Sequence, residues 1–250
     1  AALGRTLTAG AMMGAMLKGE EKLTIQVKGN GPLGQIVVDA NARCEVRAYV
    51  DNPLVELPLN AAGKLDVKGA VGTEGFIYVL KDLGLKEPYR GSIPIISGEL
   101  AEDFTYYFAR SEQTPSAVAL GVLVDRDLSV RSAGGFLIQM LPGVPDEEIS
   151  HIEQKLSQLP PLTSLIDQNV PLEEILNGII GPIRVLSESP VVFRCRCSRE
   201  RVQSTLLSLG KEEIHSMLEE EGQAEVVCHF CNEKYVFGSE DLKDILKQAR

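Results

Sequence analysis

Five cysteines stand in this chain of 250 residues, and four of them fall into two close pairs, Cys195-Arg196-Cys197 and Cys228-His229-Phe230-Cys231. Residues 195 and 197 are two apart, so on an extended segment both side chains point the same way, with Cα atoms about 7 Å apart. The second pair has the spacing of a turn that folds two thiolates onto a single ion, as in structural zinc sites. Together Cys195, Cys197, Cys228 and Cys231 supply four soft ligands. Tetrahedral sulfur coordination favours zinc over magnesium or calcium, so the expectation is one redox-inert zinc ion per chain. His229, inside the second pair, and His215 are further imidazoles nearby in sequence, but four thiolates already complete a tetrahedron.

Arg194, Arg196, Arg199 and Arg201 surround the first pair. Cations lower thiol pKa values and favour the reactive thiolate, so these sulfurs are also candidates for oxidation. The alternative is that the arginines form a solvated face balancing the negative charge of a four-thiolate metal centre. Spacing secures the metal site; the arginines make a thiol switch plausible.

The elements that must hold the sulfurs are legible around them. Ser198 is placed to N-cap a helix carrying Val202, Leu206 and Leu207 to a stop at Gly210, and a second helix carries Ile214, Met217 and Leu218 to Gly222. Ala224–Val227 and Lys234–Phe237 alternate as strands on either side of the second pair, and Ser239 is expected to cap a last helix with Leu242, Ile245 and Leu246 on its core face. A domain of roughly 60 residues buries little surface, and structural zinc supplies about 10 to 16 kcal/mol of apparent binding energy in finger peptides, so metal removal should unfold it.

Upstream, Leu3 to Leu17 reads as a buried helix, with Leu3, Leu7, Met12, Met13 and Met16 among small residues and Gly10 and Gly14 spaced for close approach of another element. Its methionines could instead offer an adaptable binding surface, but core packing is the commoner fate. From Lys22 the period changes to two: Leu23, Ile25 and Val27, then Gln35–Asp39 and Cys44–Val50, read as strands of a half-buried antiparallel sheet. Cys44 shares a face with Val46, Ala48 and Val50 and is assigned as a small buried hydrophobe without a redox role.

Gly29-Asn30-Gly31-Pro32-Leu33-Gly34 formally matches a dinucleotide-binding fingerprint, but a strand follows it where a helix N-terminus is required, so a hairpin loop is expected. Gly75–Leu83 reads as a strand and Glu99–Arg110 as a helix. Ala117–Val124 and Ser129–Leu141 form a hairpin over Asp125-Arg126-Asp127, with Gly134-Gly135 marking a bulge or a close backbone approach. After Pro142 the texture is helical: Ile149, Ile152, Leu156 and Leu159 recur up to Pro160-Pro161, and a second helix from Pro171 carries Leu172, Ile175, Leu176, Ile179 and Ile180. These amphipathic helices must bury their faces, and the preceding sheet is the nearest surface, so they read as a cover that could come off.

The expected fold class is therefore α+β, with a mainly antiparallel core domain over residues 1–143, a helical linker packed on it over 144–189, and a four-cysteine zinc domain over 190–250. A formal charge of −10 and aromatic content of 5% without tryptophan argue against nucleic acid and anionic membrane as partners. No phosphate-cradling loop ending in Lys-Ser or Lys-Thr supports an ATP-driven mechanism. No signal peptide appears, and an odd cysteine count concentrated at one end points to a reducing, cytoplasmic setting.

Nearly the whole chain resembles a known family, the redox-regulated thirty-three-kilodalton heat-shock chaperones of bacteria. The resemblance runs through Gly4-Arg5-Thr6, Val38-Asp39-Ala40-Asn41-Ala42, Lys64-Leu65-Asp66-Val67, Ser97-Gly98-Glu99, Asp103-Phe104-Thr105-Tyr106-Tyr107, Ser111-Glu112-Gln113-Thr114-Pro115-Ser116 and Cys228-His229-Phe230-Cys231-Asn232-Glu233-Lys234-Tyr235. It implies a holdase without enzymatic activity. It further implies that Cys195, Cys197, Cys228 and Cys231 bind zinc when reduced, and that oxidation pairs Cys195 with Cys197 and Cys228 with Cys231, expels the metal and unfolds zinc domain and linker. The activated form would be a homodimer that holds unfolded client proteins and passes them to ATP-dependent refolding chaperones. Roughly 35 to 40 further residues before Gly4 are implied as well, as is a glycine where this chain has Cys44. Two rivals stay open: a zinc-containing thiol oxidoreductase using the Cys228–Cys231 pair catalytically, and a zinc-ribbon nucleic-acid binder using the four arginines.

Overall fold

Close approach of a small-residue helix to a sheet organises the first part of the chain. In the computed structural model, which describes residues 1–248, helix α1 (Ala2–Ala15) buries Ala2, Thr6, Ala9, Gly10, Met13 and Gly14. A Cβ at Gly10 would stand 2.6 Å from Val38 Cγ1, and one at Gly14 2.9 Å from the Asn41 carbonyl oxygen, so the glycine spacing serves helix-on-strand packing as expected. The methionines divide. Met13 is core, whereas Met16 closes the helix and is 48% exposed.

Strands β1 (Lys22–Gly29), β2 (Gln35–Asn41) and β3 (Glu45–Val50) form an antiparallel meander. Helix α2 (Val67–Val71) follows, N-capped by Asp66 accepting from Gly69 N, and then strands β4 (Gly75–Asp82) and β5 (Tyr89–Pro94). Cross-strand pairs Ile25↔Val38, Val27↔Ile36 and Val27↔Ile77 put the alternating apolar residues on one face, as period-two patterning requires. That face is closed by α1 and by α3 (Leu100–Arg110), whose Leu100, Phe104, Tyr107 and Phe108 complete the main core. The loop over residues 29–34 joins two antiparallel strands, and its glycines admit the α2 backbone: a Cβ at Gly31 would meet the Ala70 carbonyl oxygen at 2.3 Å. The dinucleotide reading is thereby excluded by packing.

Cys44 is buried as expected, but it lies in the turn before β3 with φ +55° rather than on the strand face with Val46, Ala48 and Val50. A left-handed backbone there favours glycine. Strand β6 (Ser116–Val124) and strand β7 (Val130–Gln139) make a separate two-stranded sheet. Its register shift falls at Leu123/Val124, not at Gly134-Gly135. Those two glycines mark close approach: a Cβ at Gly134 would meet Ile166 Cδ1 at 2.7 Å and one at Gly135 the Ala119 carbonyl oxygen at 2.6 Å.

Helices α4 (Asp146–Ser157), α5 (Leu162–Asp167) and α6 (Leu172–Ile180) cover this hairpin. Ile152, Leu162, Ile175 and Ile179 pack with Phe136 and Ile138 in a core of their own. The cover therefore lies on one face of β6–β7, while Val118, Leu120 and Leu137 pack against the main core. Strand β8 (Val192–Phe193) then pairs in parallel with β3 and completes a six-stranded sheet of order β5-β4-β1-β2-β3-β8. Sequence periodicity missed α2, β5, α5 and β8, all short elements whose character is set by their neighbours. No helix among the described residues is long and apolar enough to cross a membrane. Contacts divide the chain into two units, Ala1–Phe193 and Arg194–Arg250.

Candidate metal centre

In the second unit, Cys195 and Cys197 lie on the extended segment that leads into helix α7 (Arg199–Leu209). Ser198 caps that helix by accepting from Arg201 N. Gly210, with φ +90°, separates α7 from α8 (Lys211–Glu220), as the sequence anticipated. Strands β9 (Ala224–Val227) and β10 (Lys234–Phe237) pair antiparallel and carry the second cysteine pair in the loop between them. That loop is tied by Cys228 N donating to Glu233 O at 2.9 Å and Asn232 N to Cys228 O at 2.8 Å, with Asn232 at φ +59°. Asparagine tolerates this left-handed turn better than a branched residue would.

The last helix, α9 (Ser239–Gln248), is capped differently from the expectation. Ser239 lies inside the helix and its hydroxyl donates to Gly222 O at 2.7 Å; the Asp241 carboxylate accepts from Gly238 N at 3.0 Å instead. A carboxylate three residues into a helix reaching back to the cap N–H is the reciprocal half of a capping box. Leu206, Ile214, Ala224, Phe237, Leu242 and Ile245 make the buried core, with Val202, Leu207, Met217, Leu218 and Leu246 around it. The helix faces read from sequence are therefore the ones that pack.

These elements bring the four sequence-predicted sulfurs together. All four Sγ atoms lie within 4.8 Å of one another and could hold a metal ion. Cys195–Cys197, Cys195–Cys228 and Cys197–Cys231 are separated by 3.4, 3.6 and 3.3 Å. Metal–sulfur bonds of about 2.3 Å place tetrahedral sulfurs about 3.8 Å apart, so the donor set fits a single thiolate-bound cation. Neither His229 nor His215 belongs to the cluster; His215 Nδ1 lies 3.6 Å from Glu219 Oε2 on α8.

Electrostatics within the cluster are uneven. At Cys195 burial raises the thiol pKa, but the Cys197 backbone N–H and the neighbouring thiols outweigh it and bring the value down to about 6. At Cys231 the Glu233 backbone contact lowers the value, yet burial and the other three thiols carry it up to about 12. Cys197 is also raised: the Tyr235 and Cys231 hydrogen bonds lower it, but burial together with the Cys195 and Cys228 thiols outweighs them. This is the signature of protons shared among close thiols, which a bound cation would replace.

Two of the four arginines make defined contacts away from the sulfurs. Arg199 donates to Val236 O at 2.8 Å, pairs with Asp241 at 2.8 Å and lies over the Phe237 ring at 4.3 Å; Arg201 donates to Arg196 O at 2.8 Å. Both guanidinium groups brace the fold around the cysteines. Sequence reasoning also missed Tyr235, whose hydroxyl donates to Cys197 Sγ at 3.2 Å and whose phenol is held above its ordinary range, first by that bond. Alternation along β10 signals only which way its ring points, not what it reaches.

The model of the family described as "Hsp33 protein" matches residues 1–238. The chain belongs to the Hsp33 family. Relatives named "33 kDa chaperonin" from Bacillus cereus strain B4264 and Bacillus anthracis strain CDC 684 are 56% and 55% identical over 249 residues. Each alignment spans 99% of this chain and 86% of the relative. A crystal structure of the 33 kDa chaperonin (heat shock protein 33 homolog) of Thermotoga maritima superposes with a TM-score of 0.92 at 42% identity, covering 99% of this chain and 84% of that one. The Hsp33 assignment accounts for the α+β fold and places this chain among chaperones, with the four-cysteine cluster where the sequence located it.

Proposed function

We propose that this chain is a redox-regulated, ATP-independent holdase that protects thermally unfolding and oxidatively damaged proteins from irreversible aggregation in the cytoplasm. The observation that carries this reading is the convergence of four thiols, from two segments far apart in sequence, within 4.8 Å of one another inside a unit with a small core. In the reduced state Cys195, Cys197, Cys228 and Cys231 bind one zinc ion per chain. The all-sulfur donor set suits zinc, and a redox-inert ion leaves the electron chemistry to the thiols.

Oxidation pairs Cys195 with Cys197 and Cys228 with Cys231, which removes all four donors at once and releases the metal. The switch domain, residues 190–250, then loses most of its stability, because its core is too small to compensate for the lost ligand bonds. The linker, residues 144–189, loosens with it and uncovers the apolar face of β6–β7, including Phe136 and Ile138. Unfolded clients bind the surface so exposed, the activated form is a homodimer, and clients pass to ATP-dependent refolding chaperones once the thiols are reduced again. No residue has a catalytic role in this scheme. A thiol oxidoreductase would need a reactive pair at a helix N-terminus, whereas Cys228 and Cys231 sit in a hairpin loop.

Peroxide treatment with mild heating tests the proposal. About one zinc per chain should be released as four thiols disappear, and aggregation of an unfolded client should be suppressed. Equal suppression by the reduced, zinc-loaded protein would show that there is no switch.

A further inference from the structure

One hydroxyl at the sulfur cluster is not needed to complete a four-thiolate site. Tyr235 lies on β10 opposite Val226, two residues before the buried Phe237, and its ring packs on the core built by Leu206, Ile214 and Ile245. From that anchored ring its hydroxyl reaches the other cysteine segment and donates to Cys197 Sγ at 3.2 Å. The strand neighbour Lys234 points away and pairs with Glu225 at 3.0 Å. Tyr235 thus links the hairpin bearing Cys228 and Cys231 to the segment bearing Cys195 and Cys197 through a contact to sulfur itself.

Resting on the redox-switch reading, we propose that Tyr235 is a positioning residue that slows oxidation of Cys197 and so sets how much oxidant is needed before the metal is released. When hydrogen peroxide oxidises such a site, a cysteine sulfur attacks one peroxide oxygen. An S–O bond forms, the O–O bond breaks, and sulfenic acid and hydroxide result. A second thiolate then forms the S–S bond and expels the sulfenic oxygen, which leaves as water on taking up a proton. Over both steps two thiols and one peroxide give one disulfide and two waters. The attack uses a sulfur lone pair. The Tyr235 hydroxyl draws on that electron density, and the ring behind it occupies one approach to the atom. Groups bonded to ligand atoms govern the behaviour of a metal site nearly as much as the ligands do.

The test is zinc release from the two-unit chain in hydrogen peroxide, followed with a colorimetric zinc chelator, for wild type, Tyr235→Phe and Lys234→Ala. Tyr235→Phe keeps the ring in the core and removes the hydroxyl; Lys234→Ala weakens the same hairpin without touching sulfur. All three should hold one zinc when reduced. Tyr235→Phe should release it about three- to tenfold faster, the factor corresponding to one hydrogen bond, with Lys234→Ala at the wild-type rate. In the cobalt-substituted protein the sulfur-to-cobalt charge-transfer band of Tyr235→Phe should move to lower energy, a change that loss of packing alone does not produce. Equal rates with an unshifted band overturn the proposal, and so does an equal acceleration in Lys234→Ala. Wild-type protein that keeps its zinc in peroxide overturns the switch reading itself, an outcome distinct from wild-type release matched by the variant.

Discussion

Cys197 Sγ lies 3.3 Å from Cys231 Sγ and 3.4 Å from Cys195 Sγ, so its nearest sulfur belongs to the other pair. Folded-state distance therefore does not select the disulfides. Once the unit opens, chain entropy does: closing the loop between residues 34 apart costs about 2 kcal/mol more than closing one between close neighbours on a flexible-chain estimate. Peptide mapping after oxidation with mild heating should recover Cys195–Cys197 and Cys228–Cys231 as the dominant disulfides. A dominant Cys197–Cys231 bridge would mean that oxidation occurs within the folded cluster.

Chelation should separate the two units. Structural zinc supplies about 10 to 16 kcal/mol in finger peptides, more than the core around Ile214 and Phe237 can replace. Removing the metal under reducing conditions should make Arg194–Arg250, and the linker 144–189 with it, susceptible to limited proteolysis while residues 1–143 keep their cooperative thermal transition. Coincident loss of both in the thermal melt would show that the units do not fold independently.

Loosening the helical cover should mimic activation. Ile179 is buried against β6–β7, and truncation to alanine should cost about 2 to 4 kcal/mol in that small core. Gly121→Val acts from the opposite side, since even a Cβ there would stand 2.8 Å from Thr163 Cγ2 on α5. Both variants should bind more of an apolar dye and suppress client aggregation partially while still reduced and zinc-loaded. Unchanged dye binding and unchanged holdase activity would place the client surface elsewhere.

In the first unit, burial foremost and then the Glu112 carboxylate that accepts its hydroxyl hold the Tyr107 phenol well above its ordinary value. A raised pKa gives stability that is fully present below the unfolded value near 10 and is lost as pH rises toward the folded one. Above pH 10 wild-type stability should fall by about 1.4 kcal/mol per pH unit from this group. Tyr107→Phe should remove that slope and cost about 1.5 to 3 kcal/mol at neutral pH for the lost bond to a charged acceptor. Thermal midpoints of both proteins from pH 8 to 11 measure it; parallel curves would place the alkaline sensitivity in another group.

Much of the site was legible before folding. Two cysteine pairs with ligand spacing, flanked by Ser198, Gly210 and Gly222 as helix punctuation, locate the centre and most of the elements around it, because caps and ligand spacings are local constraints. Cys44 shows the limit of pattern reading. Alternation with Val46 and Ala48 extended the strand one residue too far, since a turn with positive φ leaves no trace in hydrophobic periodicity.

The sequence by itself determined that four sulfurs would share one centre, that the first helix would pack closely through Gly10 and Gly14, and, through its motifs, the Hsp33 family. Only the tertiary structure decided what surrounds the sulfurs. It sends Arg199 to Val236, Asp241 and Phe237 instead of to a thiolate, and brings the Tyr235 hydroxyl across to Cys197. It also decided that α4–α6 cover β6–β7. The physical reason is range. Spacing and periodicity encode contacts between residues a few positions apart, whereas a guanidinium or a phenol 38 positions away acts wherever the packed core delivers it.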